Sequence, residues 1–150
     1  MTTTRRWVLT VAGLSAIAIA VATPASAREL NAVEKANAKV VQDFSAAWAS
    51  GDVDKVTSYL SDDCVVRFLQ TQEPVKGRAT VAERLKGGLK NSKIQFEVLE
   101  TTAAGPVVMN VRNDYVTGAD GKKNVFHVAG VFYVRGGKIV EWIDAVIDNK

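Results

Sequence analysis

From Lys93 onward the chain consists of four runs of alternating residues separated by turn signals, and no other feature constrains its fold as tightly. The runs are KIQFEVLE, PVVMNVRNDYV, NVFHVAGVFYV and KIVEWIDAVID. The breaks between them fall at Gly105-Pro106, Ala119-Asp120-Gly121 and Gly136-Gly137, each with the chemistry of a tight turn. A period of two turns one face of each run toward a core and the other away from it. Short connections make neighbouring strands antiparallel, so the four runs predict a meander.

The preceding residues read as helices with one strand among them. Glu29 to Ser50 carries Val33, Val40, Val41, Phe44, Ala47 and Trp48 at spacings of three and four, and Gly51 stops it, which predicts a long amphipathic helix. Asp52 then caps a short second helix bearing Val53, Val56 and Leu60. DDCVVRFL is a strand, and TQEPVKG a loop shaped by Pro74 and Gly77. Val81, Leu85 and Leu89, four apart, mark a third helix ending near Gly87-Gly88. The order predicts an α+β fold, with the helices packed on one face of a curved antiparallel sheet.

Residues 1–27 are set apart from that fold. Arg5 and Arg6, an apolar run from Trp7 to Ala22, and the small residues Ala25-Ser26-Ala27 have the three-part layout of a secretory signal, with cleavage expected after Ala27. The paired arginines before Trp7-Val8-Leu9 also resemble a twin-arginine signal. The expectation is an exported protein, periplasmic or secreted, with residues 28–150 as one domain and no membrane span after cleavage. Of the 19 Lys and Arg in the chain, only Arg5 and Arg6 fall in this segment, which holds none of the 16 acids. The mature charge is therefore close to balance and gives no reason to expect a nucleic-acid partner. The single cysteine, Cys64 beside Val65 and Val66, excludes an intramolecular disulfide and reads as a small buried hydrophobe.

The candidate chemistry lies in two strands. In KIVEWIDAVID, Asp144 shares a face with Val140, Trp142 and Val146, an apolar stripe on which a carboxylate loses hydration and needs a partner. In MNVRNDYV, Arg112 and Asp114 share a face with Asn110 and Val116. That face is either a solvated one with a surface ion pair of little energetic value or the lining of a pocket. In the second case one guanidinium between two carboxylates suits a general acid and base, with one of the acids holding its proton near neutral pH. His127, alone and alternating with Val125 and Ala129, lacks the companions of a metal site. Lys76, Arg78, Arg84, Lys86, Lys90 and Lys93 read as the solvated side of the third helix and its flanks.

These residues carry a resemblance. VVQDFSAAWASGDVDKVTSYLSDDC, EPVKGRATVAERL and GVFYVRGGKIVEWIDAVID resemble the nuclear transport factor 2-like, SnoaL-like superfamily. The pairing of Arg112-Asn113-Asp114 with Trp142-Ile143-Asp144 is similar to the limonene-1,2-epoxide hydrolase family within it. The resemblance implies a cone-shaped sheet with three helices on its concave side and a homodimer through the outer sheet face, where His127 would lie. It also implies one-step addition of water to a small apolar epoxide, with no metal and no cofactor. Asp114 would be the acid, Asp144 the base and Arg112 the bridge. Val116, Phe126, Val128, Phe132, Trp142 and Val146 would line the pocket. The family also holds its water with a Tyr and an Asn; the matching positions here are Arg67 and Leu69, which supply neither group. Two other functions fit the same cone: a non-catalytic binder of a hydrophobic or anionic ligand, and an isomerase or cyclase of the ketosteroid isomerase type.

Overall fold

The computed structural model describes residues 28–148; the export segment expected in residues 1–27 lies outside them. Helix α1 (Ala32–Ala47) is followed by a 3-10 turn (Trp48–Ser50), α2 (Val53–Thr57), strands β1 (Leu60–Arg67) and β2 (Val75–Lys76), and α3 (Arg78–Leu89). The meander then runs as β3 (Lys93–Ala104), β4 (Val107–Thr117), β5 (Lys123–Arg135) and β6 (Lys138–Asp148). The six strands form one sheet in the order β2-β1-β6-β5-β4-β3. All neighbours are antiparallel except β1 and β6. That parallel pair departs from the all-antiparallel expectation, and it arises because the long α3 and meander crossover returns the chain to the far side of β1. Among the described residues, no helix is long and apolar enough to cross a membrane.

Helix α1 begins three residues later than its apolar pattern implies. Asn31 accepts a hydrogen bond from the Glu34 backbone N–H, and the Glu34 carboxylate accepts one from the Asn31 N–H, a reciprocal cap that satisfies two otherwise orphaned donors. Glu34 is buried there and also accepts from Arg28 at 2.7 and 2.9 Å and from the Gly105 N–H at 2.9 Å. The Arg28 side chain and the two backbone donors hold its carboxyl at about 2, well below the ordinary range. Val33, assigned to the buried face from its spacing, is 65% exposed because Glu34 takes the inward position instead.

The core lies between α1 and the concave face of the sheet. Phe44 sits at its centre, edge-on to Trp142 at 5.1 Å, Phe132 at 5.8 Å and Trp48 at 6.1 Å. Phe132 and Trp142 pair in register on β5 and β6 and stack at 6.2 Å. The sheet curves around this cluster, helped by register shifts near Leu99 in β3 and Ile147 in β6, since an extra residue in one strand bends it and increases its twist.

Candidate active site

Strand parity turns Asn110, Arg112 and Asp114 of β4 inward, onto the same concave face as Trp142 and Asp144 of β6. The polar-looking face of MNVRNDYV is therefore the buried one, and Met109 on the other face is exposed. Arg112 and Asp144 lie on strands separated by β5, and the residue between them decides whether they can meet. Asn110, Gly130 and Asp144 are register partners across β4, β5 and β6. A Cβ on Gly130 would come within 2.4 Å of Arg112 Nη1, 2.7 Å of Asn110 Oδ1 and 2.7 Å of Phe132 Cε2. The guanidinium occupies the space that the missing side chain leaves, and so spans β5 to reach β6.

Arg112 is fully buried, and its guanidinium nitrogens all donate. Nε donates to Asp114 Oδ1 at 2.8 Å, and Nη1 to Asn110 Oδ1 at 3.0 Å. Nη2 donates to both carboxylates, at 3.2 Å to Asp114 Oδ2 and 2.6 Å to Asp144 Oδ2. Asn110 in turn donates to Ser45 Oγ on α1 at 3.3 Å. The ring of Phe96, register partner of Asp114 on β3, lies 4.3 Å from Arg112 Cζ, a cation–π contact that closes the remaining side. Burial opposes the Arg112 charge, but the two carboxylates more than offset it and hold its pKa above the ordinary value.

The two acids have different surroundings. Asp144 Oδ1 accepts the Trp142 indole N–H at 2.7 Å, so both of its oxygens have strong donors. Its side chain is 9% exposed, and that of Asp114 is 14% exposed. Burial raises the pKa of both, against the lowering effect of Arg112. For Asp114 the result is about 6, with the Asp144 charge adding to the rise. Arg112 opposes that rise at both acids and the Trp142 indole N–H opposes it at Asp144 as well, so the two titrate as a coupled pair. The arrangement can present an acid and a base a few ångströms apart on one apolar surface.

Half-buried Val116, Phe126 and Val146 adjoin the acids at the open end of the sheet. Phe132 and Trp142, expected to line the pocket, are instead packed within the core, and Val128 is buried beside Arg112. Arg67 pairs with Ile143, so it shares that residue's outward parity rather than that of Asp144. Leu69 follows the end of β1, in a turn closed by the Gln72 N–H donating to its carbonyl. Neither residue makes a polar contact with Asp144 among the described residues. The loop instead brings Gln70 to β6, where its Oε1 accepts the Val146 N–H at 3.3 Å. Sequence pattern did not single out Gly130, Asn110 or Ser45; a glycine in the middle of an alternating apolar strand was the available signal. Among the described residues, no group of three or more His, Cys, Asp or Glu side chains is placed to hold a metal ion.

Three helices closing a curved six-stranded sheet, with a buried polar cluster at its open end, define the nuclear transport factor 2-like cone. The SnoaL-like domain family matches residues 41–142, and the chain belongs to that family. An LEH-like epoxide hydrolase of M. tuberculosis is similar in structure, with TM-score 0.69 and 25% identity over 75% of this chain and 84% of that one. A putative polyketide cyclase of Xanthomonas campestris (TM-score 0.68, 22% identity, 75% and 90% covered) shares the fold. So does the epoxide hydrolase/cyclase-like enzyme SalBIII of salinomycin pyran ring formation (TM-score 0.69, 16% identity, 75% and 91% covered). No protein of curated function matches the chain significantly.

Proposed function

We propose that the chain is an exported epoxide hydrolase-like enzyme that opens a small apolar epoxide in one step. Asp144 takes a proton from water as the water oxygen attacks a ring carbon. The carbon–oxygen bond breaks, and the ring oxygen takes the proton of Asp114. One proton is gained and one lost, so the net charge of the Arg112-linked pair is unchanged, and the proton passes from Asp144 back to Asp114 before the next turnover. The observation that carries this reading is the bridge itself: a single nitrogen, Arg112 Nη2, donates to both carboxylates. A fixed cation sets the separation and orientation of acid and base, and such placement supplies much of a barrier reduction. The likeness to the M. tuberculosis enzyme supports the same chemistry.

Water would be aimed by Asp144 together with the Gln70 amide, which reaches β6 two residues beyond it, because Arg67 shares the outward parity of Ile143 and Leu69 has no polar group. The test is to incubate the purified protein with terpene and aryl epoxides in isotopically labelled water. Labelled diol that disappears in both Asp114→Asn and Asp144→Asn is the expected result; diol that persists in either variant sinks the assignment. Arg67 and Leu69, standing where the family has its water-holding Tyr and Asn, favour a second reading, a non-catalytic binder, which no turnover across the panel with ligand binding intact would establish. The export part rests on Arg5, Arg6 and Ala25-Ser26-Ala27 and predicts a mature amino terminus at Arg28, checked by sequencing the secreted product.

A further inference from the structure

A cavity of about 670 Å³ opens between α2, α3 and the start of β3. Its apolar wall is made by Val53, Val56, Leu85, Leu89 and Ile94, with Trp48 also lining it. Trp48 packs on Phe96 at 4.7 Å, and Phe96 in turn carries the Arg112 guanidinium on its ring. One aromatic ring therefore separates the wall of this cavity from the bridge between the acids. Ile94, also on the wall, is a single inward position along β3 from Phe96.

Two cations and one carboxylate line the cavity. Lys90 and Lys93 line it and make no ion pair or side-chain hydrogen bond among the described residues. Other cations near α3 are occupied: Lys86 pairs with Asp54, Arg78 with Asp62, and Arg84 donates to Gln72. The acid in the lining, Asp52, uses Oδ1 to accept from the Asp54 and Lys55 N–H groups as the α2 cap. Of the basic stretch that reads as a uniformly solvated helix face, Arg78, Arg84 and Lys86 have partners on the outside, while Lys90 and Lys93 stand at the cavity.

We propose that this cavity binds an amphipathic carboxylate. The hydrocarbon lies along the α2 and α3 wall, and the carboxylate meets Lys90 and Lys93. Phe96 stands between this wall and the Arg112 bridge, and the lining includes neither Asp114 nor Asp144, so the binding does not rest on the hydrolase reading.

The test is equilibrium binding of decanoate and of 1-decanol, equal in chain length and different in charge, followed by calorimetry at low salt. Decanoate is expected to bind about three- to tenfold more tightly, the size of two exposed charge contacts, and the preference should shrink as salt is added. Lys90→Gln/Lys93→Gln should abolish the preference while leaving decanol affinity in place. Equal affinity for the two ligands, or a preference that survives the double substitution, would overturn the proposal. If the preference holds and no epoxide is turned over, the hydrolase reading fails and the binding site stands.

Discussion

At the scale of single residues, the site depends on a hydrogen atom. Gly130 has an ordinary strand conformation, so its identity is required by space rather than by its backbone: the Arg112 guanidinium crosses β5 where a Cβ would stand. Gly130→Ala should push Arg112 off Asp144 and overpack the core, destabilising the fold by about 1–3 kcal/mol; chemical denaturation measures this. Turnover of that variant should fall more than its stability accounts for, and an unchanged kcat would show that the bridge is not needed. Asp114 gives a second prediction. Its folded pKa of about 6 lies above its ordinary 3.8, so the native state holds that proton more tightly than the unfolded chain does. The resulting stability is fully present below about pH 4 and is lost as the pH rises through 6; Asp144, raised for the same reason of burial, acts in the same direction. Denaturation midpoints should therefore decline between pH 4 and 6 in the parent and decline less in Asp114→Asn. With Asp114 as the acid, kcat/KM should also fall above about pH 6 along a one-proton slope. A flat profile there would remove Asp114 from that role.

At the scale of elements, β4 and β6 carry the polar members of the site, and β5 between them leaves room for the Arg112 bridge at Gly130. The Trp142 indole bonds the Asp144 two residues along the same strand, so β6 carries both the base and the group that orients it. Trp142→Phe removes that donor and also trims the largest fully buried side chain, which packs on Phe44, Phe68 and Phe132. We predict a loss of about 1.5–3 kcal/mol for the hydrogen bond to a charged group, with the lost packing added to it, together with an upward shift of the lower pKa in the rate profile. Asn31→Ala should cost about 1 kcal/mol through loss of the α1 cap, measured as a drop in Tm, with kcat unchanged because the cap lies at the far end of the helix. These elements were legible to different degrees. The meander and the three helices followed from turn residues and periodicity, which are local. The pairing of Arg112 with both acids followed from strand parity together with the need of a buried carboxylate for a cation. The parallel β1–β6 pair and the inward Glu34 did not follow, since each depends on long-range contacts: a crossover in one case, and Arg28 with Gly105 in the other. Arg67 fell on the wrong side because its register is fixed by pairing with Ile143, which spacing from Gly77 cannot reveal.

At the scale of the whole molecule, the sheet has two unlike faces, and only the inner one is accounted for by the chain itself. On the outer face Met109, Val131 and Ile143 are successive register partners across β4, β5 and β6, and they are 47%, 39% and 36% exposed. An in-register apolar row at the middle of a broad sheet is not the scattered exposure expected of a monomer surface. Two copies related by a two-fold axis would cover it with the same row, as an isologous interface requires. His127 lies toward one end of that face, its Nδ1 3.1 Å from Asn113 Oδ1. We predict a homodimer, and Val131→Glu, which sets a charge at the centre of the row, should convert it to a monomer with unchanged far-UV circular dichroism. Because the site is built from inward-facing residues, the monomer should keep its turnover and lose only the concentration dependence of its Tm, which assembly imposes. Light scattering that finds the parent monomeric at micromolar concentration would leave the outer row unexplained by self-association, and Val131→Glu still dimeric would place the interface elsewhere.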